Sequence, residues 1–412
     1  MRLGSGPVTS RDLQQPIVAG VVTAVVGFTS SFAVVLAGLR AVGASPDEAA
    51  SGLLALTVAF GLLMSGLAVW TRLPVTLAWS TPGAALLVST GPVEGGWPAA
   101  VGAFVLTGVL LALTGLVPWL GRLAAAIPVP LAQAMLAGVL LQLCLAPFTA
   151  LADAPAAVGP VVLVWLLATR WAPRWAVPLA LLGAFVVIGV SLATTGTSVP
   201  TGHLLPRLEP TTPTLTVAAV VGIAVPLTVV TLASQNVPGV AVMRSFGFTV
   251  PWRASMVTTG AGTSAAAVFG GHAINLAAIS AALAAGDGAG PRERRWVAAF
   301  TAGLVALLLA LTSGALVAVT EAAPAGIVET VAGLALLSTF AASMVAALAT
   351  DTGRTSATVT FLVAASGLQL FGVGAAFWAL VVGLVVRATL ERRTAASVEQ
   401  EEAADGAEDV RR

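Results

Sequence analysis

The chain has 412 residues, of which 58% are hydrophobic and 9% are charged, and its formal net charge is +1. A soluble domain of this length cannot bury so large an apolar fraction, so the composition predicts a polytopic membrane protein surrounded by lipid. All 19 basic residues are arginines, and the acidic residues nearly balance them. With charge this sparse and balanced, no nucleic-acid partner is expected.

Hydrophobic runs bounded by arginine, proline, glycine or acidic residues predict fourteen membrane segments. They lie near 16–39, 48–70, 74–90, 97–117, 127–146, 155–171, 175–194, 214–235, 252–268, 271–285, 294–319, 326–349, 355–371 and 373–390. The first run is longer than a signal-peptide core and is interpreted as a helix. If both termini are cytoplasmic, only Arg40 and Arg207 among the arginines fall outside, as the positive-inside rule expects. The chain is therefore predicted to be a multi-pass protein of the plasma (inner) membrane.

Seven of these segments precede a Pro- and Thr-rich connection at 198–213, and seven follow it. An odd number of crossings gives the two halves opposite orientations, so the fold is predicted to be an all-α inverted repeat. The predicted divisions are a first repeat at 14–196, a connecting loop at 197–213, a second repeat at 214–392 and a disordered acidic cytoplasmic tail at 393–412.

The third segment, Leu73 to Val88, is interrupted by the polar run Ser80, Thr81, Pro82 and Gly83. The residues before this run are rich in β-branched and aromatic types, whereas Thr81 is suited to cap a short helix and Pro82 to begin it. About eight helical residues span only ~12 Å, so this helix would begin near mid-bilayer and present its amide groups to an anion. The alternative is a proline kink in an ordinary helix.

The tenth segment has a second interruption, where Gly270, Gly271 and His272 precede a short helix predicted over 273–285, with Asn275 one turn in. Paired interrupted segments at equivalent places in two halves indicate a transporter binding site. The two half-helix N termini could face one cavity and together hold a carboxylate. His272 is the titratable side chain predicted at membrane depth, and it either carries a coupling proton or donates a hydrogen bond to an anion.

Further polar residues lie in the eighth and first segments. Gln235 and Asn236 either offer amide groups to a ligand or form hydrogen bonds between helices. Ser30 and Ser31 correspond to them by the repeat symmetry, and the alternative role for these serines is close helix packing. Trp79, just before the first interruption, either flanks an aromatic ligand or packs against the neighbouring domain.

The sequence contains no Gly-x-Ser-x-Gly elbow, nucleotide-binding loop, carboxylate pair or zinc-ligand spacing. No enzymatic activity is therefore expected, and no catalytic residue, cofactor or metal. Cys144 is the single cysteine, which excludes an internal disulfide, and it is interpreted as a packing residue. An ion channel would show rings of charge or repeated filter carbonyls, and neither pattern occurs.

Four runs of the sequence resemble the benzoate:proton symporter family (BenE type). They are TLAWSTPGAALL at 76–87, AMLAGVLL at 134–141, GGHAINLAAISAAL at 270–283 and VAGLALLSTF at 331–340. The resemblance covers nearly the whole chain and implies a fold similar to that of uracil permease, in which segments 3 and 10 each pair an extended strand with a half-helix. Segments 1–4 and 8–11 would form a core domain, and segments 5–7 and 12–14 a gate domain through which relatives commonly form dimers.

The same resemblance implies a substrate site between the half-helices and against segments 1 and 8. The expected substrate-binding residues are Ser30, Ser31, Ser80, Thr81, Pro82, Gly83, Gln235, Asn236, His272, Ala273 and Asn275, and Phe28, Phe32 and Phe340 are expected ring contacts by placement. Nucleobase-transporting relatives have glutamates in segments 8 and 10. This chain has none there, which suits an anionic substrate because acids would repel it at a desolvated site.

The implied function is secondary active import of benzoate or a similar aromatic carboxylate by proton symport. Thr81, Asn275 and His272 would hold the carboxylate, His272 is the candidate proton carrier, and the core domain would slide past the gate domain. The alternatives are transport of another organic or inorganic anion on the same fold, sodium coupling, and a passive anion channel.

Overall fold

In the computed structural model the described residues are 10–120, 127–196, 199, 204–351 and 353–391. The helices of the first half are α1 (Ser10–Thr29), α2 (Phe32–Ala41), α3 (Pro46–Thr71), α4 (Thr81–Thr90), α5 (Gly96–Leu116), α6 (Val129–Asp153), α7 (Pro155–Trp171) and α8 (Ala176–Thr195). The helices of the second half are α9 (Val217–Ser245), α10 (Trp252–Ala267), α11 (Ala278–Ala285), α12 (Trp296–Ala310), α13 (Ser313–Glu321), α14 (Ile327–Ala347), α15 (Arg354–Ala365) and α16 (Ala375–Val386). Two strands, β1 (Leu77–Trp79) and β2 (Ile274–Leu276), precede α4 and α11. The tail predicted at 393–412 lies outside the described residues.

These elements form a polytopic membrane fold. Within the described ranges, seven helical spans are long and apolar enough to cross a bilayer, and an eighth is formed if α12 and α13, which meet at 52°, make one bent span. Each of the fourteen predicted segments corresponds to one of the elements above or to a broken pair of them. The sequence-based prediction of an all-α polytopic fold with two strand-plus-half-helix segments is confirmed.

The first segment, predicted as one helix over 16–39, is one helical span over Leu13–Ala41, with a local irregularity between α1 and α2 at Ser30 and Ser31. Hydroxyl groups that bond to the preceding turn loosen a helix. Here the Thr29 hydroxyl donates to the Val25 carbonyl at 2.6 Å and the Ser31 hydroxyl donates to the Gly27 carbonyl at 3.2 Å. These bonds accompany the local irregularity of the first segment at Ser30 and Ser31.

The eighth segment is longer than its predicted limit of 235, since α9 continues to Ser245. Two π-helical turns, Val220–Ala224 and Leu232–Asn236, widen it. Pro226 and Pro238 each follow one of these turns by two residues. A proline ring cannot accommodate the carbonyl four residues before it, so a local widening of the helix relieves the clash.

Strands β1 and β2 connect the two halves of the chain. They pair antiparallel, with Leu77 opposite Leu276, Ala78 opposite Asn275 and Trp79 opposite Ile274. Two further backbone bonds extend the pairing symmetrically, from the Ser80 amide to the Ala273 carbonyl at 2.8 Å and from the Ala277 amide to the Thr76 carbonyl at 3.0 Å. Because each strand leads directly into a half-helix, this pairing places the N termini of α4 and α11 on either side of one point.

The exact starts of both half-helices differ from the prediction. Ser80, not Thr81, is the N-cap of α4, and its hydroxyl oxygen accepts the Gly83 amide at 3.1 Å. Helix α11 begins at Ala278 rather than Ala273, so Asn275 lies in β2 and not in the first helical turn. The pairing with β1 supplies partners for the backbone of 273–277, which a helix would otherwise have supplied.

The helices fall into two packing groups. In one group α5 packs against α10, α3 packs against α12, and α2 packs against α4; in the other α6 packs against α14 and α15, and α7 packs against α8. Glycines permit the closest of these approaches: a Cβ added at Gly108 of α5 would lie 2.6 Å from the Gly260 carbonyl oxygen of α10. The central cavity described next lies where the two groups meet.

Candidate functional site

A cavity of about 290 Å³, called the central cavity, lies at the N termini of α4 and α11. Its polar lining comes from both packing groups and consists of Ser30, Ser31, Thr81, Arg174, Gln235, Asn275, Ser280, Ser338 and Thr339. Its apolar lining includes Val26, Ala78, Trp79, Pro82, Val177, Ile279, Leu283, Ala335 and Leu336. This mixture of an apolar wall and a few convergent polar groups is typical of a small-molecule site.

Both half-helices direct their N-terminal ends at this cavity. Thr81 and Pro82 at the start of α4 line it, as do Ala278 and Ser280 at the start of α11. The first amide groups of a helix have no partner within that helix, and its dipole places partial positive charge there. With no acidic side chain in the lining among the described residues, the cavity is electrostatically suited to an anion.

Asn275 is the polar side chain in the lining that most clearly lacks a partner. It is 1% exposed, and within the described part of the chain neither its Oδ1 nor its Nδ2 atom has a hydrogen-bond partner. A buried amide without partners costs about 1–3 kcal/mol for each unmet group. A ligand in the central cavity would supply the missing acceptor for Nδ2.

The neighbouring amides Gln235 and Asn236 have different surroundings. Gln235 lines the cavity, whereas Asn236 is fully buried and its Oδ1 accepts the Leu276 amide of β2 at 2.8 Å. That bond holds the outer edge of β2 on the eighth segment. The hydrogen bond between segments that the sequence suggested is formed by Asn236, whereas Gln235 lines the central cavity.

Three of the predicted site residues have backbone or capping partners and lie outside the cavity lining. The Ser80 hydroxyl is fully buried and shares a hydrogen bond with the Thr231 hydroxyl at 2.9 Å, in addition to capping α4. The Ala273 carbonyl accepts the Ser80 amide. Gly83 packs so closely on α9 that an added Cβ would lie 2.4 Å from Leu227 Cδ1. These residues help to position α4 and do not line the central cavity.

His272 is fully buried and also lies outside the cavity lining. Its Nδ1 accepts the Ala273 amide at 2.6 Å, and its ring meets Phe104 edge-on with centroids 6.5 Å apart. Its Nε2 has no hydrogen-bond partner among the described residues. The imidazole therefore lies between β2 and α5.

The aromatic residue in the cavity lining is Trp79. Its Nε1 donates to the Ser31 hydroxyl at 2.8 Å, and Phe28 and Phe60 pack against its ring with centroids 5.3 and 5.6 Å away. The expected ring contacts Phe28, Phe32 and Phe340 do not line the central cavity. Phe28 instead packs against the Trp79 ring and stacks on Phe32.

Four of the polar lining residues were not predicted from the sequence. Ser280, Ser338 and Thr339 stand within two of the runs quoted above, so a signal was present, but helical phase alone did not show which side chains faced the site. Arg174 gave no signal beyond its place in a loop between two segments. It lies in a 3₁₀ turn, Pro173–Trp175, between α7 and α8.

Comparison with known proteins agrees with this architecture. A profile of the family described as benzoate membrane transport protein (BenE) matches residues 12–389. The chain belongs to the benzoate membrane transport protein family. The chain is 38% identical over 368 residues to the inner membrane protein YdcO of Escherichia coli (strain K12), covering 89% of this chain and 93% of that protein. It is 28% identical over 369 residues to the benzoate membrane transport protein of Acinetobacter baylyi, with the same coverage.

Solved structures share the fold of this BenE-family chain at low sequence identity. The transmembrane domain of the cyanobacterium bicarbonate transporter BicA matches with a TM-score of 0.61 and 16% identity, over 92% of this chain and 98% of that one. SLC26A9 matches with a TM-score of 0.62 and 14% identity, over 92% of this chain and 65% of that one. Membership in the family makes this chain a membrane transport protein and not an enzyme.

Proposed function

We propose that this protein is a secondary active transporter that imports benzoate or a similar aromatic carboxylate. The observation that carries the proposal is the central cavity, where two half-helix N termini and the unpartnered amide of Asn275 converge. These groups supply hydrogen-bond donors and partial positive charge where a carboxylate would sit. The name of the Acinetobacter relative supports benzoate as the substrate.

The cavity provides separate places for the two parts of such a substrate. Donors that could reach the carboxylate are the Thr81 hydroxyl, the Asn275 amide and the first amide groups of α11. The ring would lie against Trp79 and the apolar wall formed by Ile279 and Leu336. Aliphatic carboxylates would lose the aromatic contact and bind more weakly.

The packing groups support an elevator-like mechanism with a core domain (segments 1–4 and 8–11) and a gate domain (segments 5–7 and 12–14). In this proposal the half-helices belong to the core, and the lining residues Arg174, Ser338 and Thr339 belong to the gate. A substrate held by the core would therefore leave the gate side chains behind when the core slides. We also propose that both termini are cytoplasmic, as the distribution of arginines predicts.

Proton coupling is part of the proposal, and His272 remains its candidate carrier. The imidazole is adjacent to Ala273, which pairs with Ser80, and is three residues from Asn275. Protonation of the free Nε2 would change the electrostatics directly behind the substrate site. A substrate that arrives already protonated is the alternative route for the proton.

Uptake of radiolabelled benzoate into proteoliposomes tests the function. We expect protein-dependent accumulation with an inward proton gradient and its loss when an ionophore collapses that gradient. Protein-free liposomes are the control, since protonated benzoic acid crosses lipid unaided. Uptake that equilibrates but never accumulates would indicate a passive channel. No uptake above the control by folded protein would exclude benzoate and lead to tests with other anions.

His272→Gln tests the proton carrier separately. The variant keeps a polar side chain without a titrating group. We therefore expect that a proton gradient no longer drives accumulation of benzoate above the level reached by exchange at equal pH. Exchange of benzoate at equal pH should persist. Undiminished accumulation by a folded variant would remove His272 from the proton path and favour entry of the protonated acid.

A homodimer through the gate domain completes the proposal. Gate helices α7 and α8 expose large apolar side chains, namely Leu163, Leu166, Leu182, Val186 and Val190. Such a surface can face lipid or a second copy. Light scattering of the detergent-purified protein, corrected for bound detergent, gives the mass of the particle, and a monomeric mass across detergents would contradict the dimer.

A further inference from the structure

A second, wider cavity of about 550 Å³ lies beside the central cavity and is called the vestibule. It is lined by the N-terminal turns of α1, by Phe246, and by residues at the C-terminal end of α11 and the turn after it, including Gly286 and Asp287. Two residues, Arg174 and Leu283, line both cavities. They therefore lie where the two cavities adjoin, a place called the throat.

Arg174 brings a full positive charge to this throat. Its residue is exposed, and within the described part of the chain its guanidinium has no ion pair. Arginine remains charged at any physiological pH and can bind a carboxylate through two parallel hydrogen bonds. An anion at the boundary of the two cavities would therefore lie close to this group.

The position of Arg174 in the fold makes its effect depend on conformation. It lies on the loop between α7 and α8, in the proposed gate domain, whereas the half-helices that hold the substrate lie in the proposed core domain. Relative sliding of the two domains would separate Arg174 from the substrate. Its attraction is therefore present when the site is open to the vestibule and absent in the opposite state.

We propose that Arg174 is a specificity-determining residue at the vestibule side of the site, where it binds the substrate carboxylate during exchange with that side only. This inference rests on the proposed function, since it takes the substrate to be an anion and the vestibule to open to the cytoplasm. The loops at 246–251 and 286–295, which border the vestibule, are on the cytoplasmic side in the predicted orientation.

Sided transport kinetics test the inference. Initial rates of radiolabelled benzoate entry are measured in right-side-out and inside-out membrane vesicles that contain the wild type, Arg174→Gln, Arg174→Lys or Arg170→Gln. Vesicles without the protein give the background. Arg170→Gln is the matched control because Arg170 is exposed at the end of α7, four residues away, yet lines neither cavity among the described residues.

We expect Arg174→Gln to raise the KM at the cytoplasmic face about tenfold, the low end for a charge-assisted hydrogen bond because the residue is solvated. The KM at the external face should change less than about twofold, and Arg174→Lys should restore only part of the cytoplasmic affinity, because it keeps the charge but not the pair of parallel hydrogen bonds. Equal shifts at both faces, an equal shift for Arg170→Gln, or no shift for Arg174→Gln would overturn the inference. If wild-type vesicles take up no benzoate above the background in either orientation, the proposed function is overturned, and this inference with it.

Discussion

Replacement of Asn275 with leucine should weaken substrate binding and leave folding intact. The Asn275 side chain is buried in the cavity wall, and neither of its amide atoms is bonded to another described residue. Leucine at this position therefore leaves no described group of the protein without its hydrogen-bond partner. Removal of a buried unsatisfied amide is neutral or stabilising. The substrate carboxylate, in contrast, loses a hydrogen-bond donor.

The size of the loss follows from the charge on the acceptor. A hydrogen bond to a charged group contributes about 1.5–3 kcal/mol, which corresponds to about a 10- to 100-fold rise in Kd. The first amide groups of α11 and the Thr81 hydroxyl would remain, so the loss should stay within this range rather than abolish binding.

Asn236→Leu is the matched control, since it makes the same chemical change in the eighth segment, two segments earlier. The Asn236 Oδ1 accepts the Leu276 amide at 2.8 Å, so its removal leaves a buried strand amide without an acceptor. We expect this variant to lose about 1–3 kcal/mol of stability. The two substitutions should therefore affect different properties: Asn275→Leu should weaken substrate binding, and Asn236→Leu should lower stability.

Binding of radiolabelled benzoate to the purified variants, together with thermal unfolding of each, measures both quantities. Wild-type affinity in Asn275→Leu would show that the amide does not contact the substrate and would refute the assignment of the central cavity as the carboxylate site. A large fall in the unfolding temperature of Asn275→Leu would show that its amide has a structural partner.

Two further predictions concern the supports of the half-helices. Gly38→Ala would place a Cβ 2.5 Å from a backbone carbonyl oxygen of α4 and should cost about 1–3 kcal/mol, whereas Gly66→Ala, with no atom within 4 Å, should gain about 0.5–1 kcal/mol. Thermal unfolding of the pair measures the difference, and equal transitions would contradict it. Arg295 donates to the Ala285 carbonyl at the end of α11 and to the Gly290 carbonyl beyond the following turn, so Arg295→Met should cost about 1–3 kcal/mol for each carbonyl left without its donor. Arg295 also forms an ion pair with the exposed carboxylate of Asp287 at 2.8 Å. Asp287→Asn should cost less than about 1 kcal/mol, and a larger cost would contradict this account.

The sequence by itself determined the membrane class, the number of segments and the place of both interruptions. These features depend on local composition: apolar runs of membrane length, arginines at their ends, and the STPG and GGH breaks. The runs that surround the breaks also indicated the family, which the profile match confirms. Local signals were sufficient here because the bilayer imposes the same requirement on every segment.

Tertiary structure decided which side chains face the site. Asn275 became a strand residue because β2 pairs with β1, from about 200 positions earlier in the chain, and no local pattern contains that pairing. Beside the same strand pairing, the Ser80 side chain caps α4, and Trp79 rather than Phe28 lines the central cavity. Arg174 reached the cavity through the packing of the two helix groups against each other. Hydropathy predicts which segments enter the membrane, but only long-range packing decides which of their polar groups remain without a partner and available to a ligand.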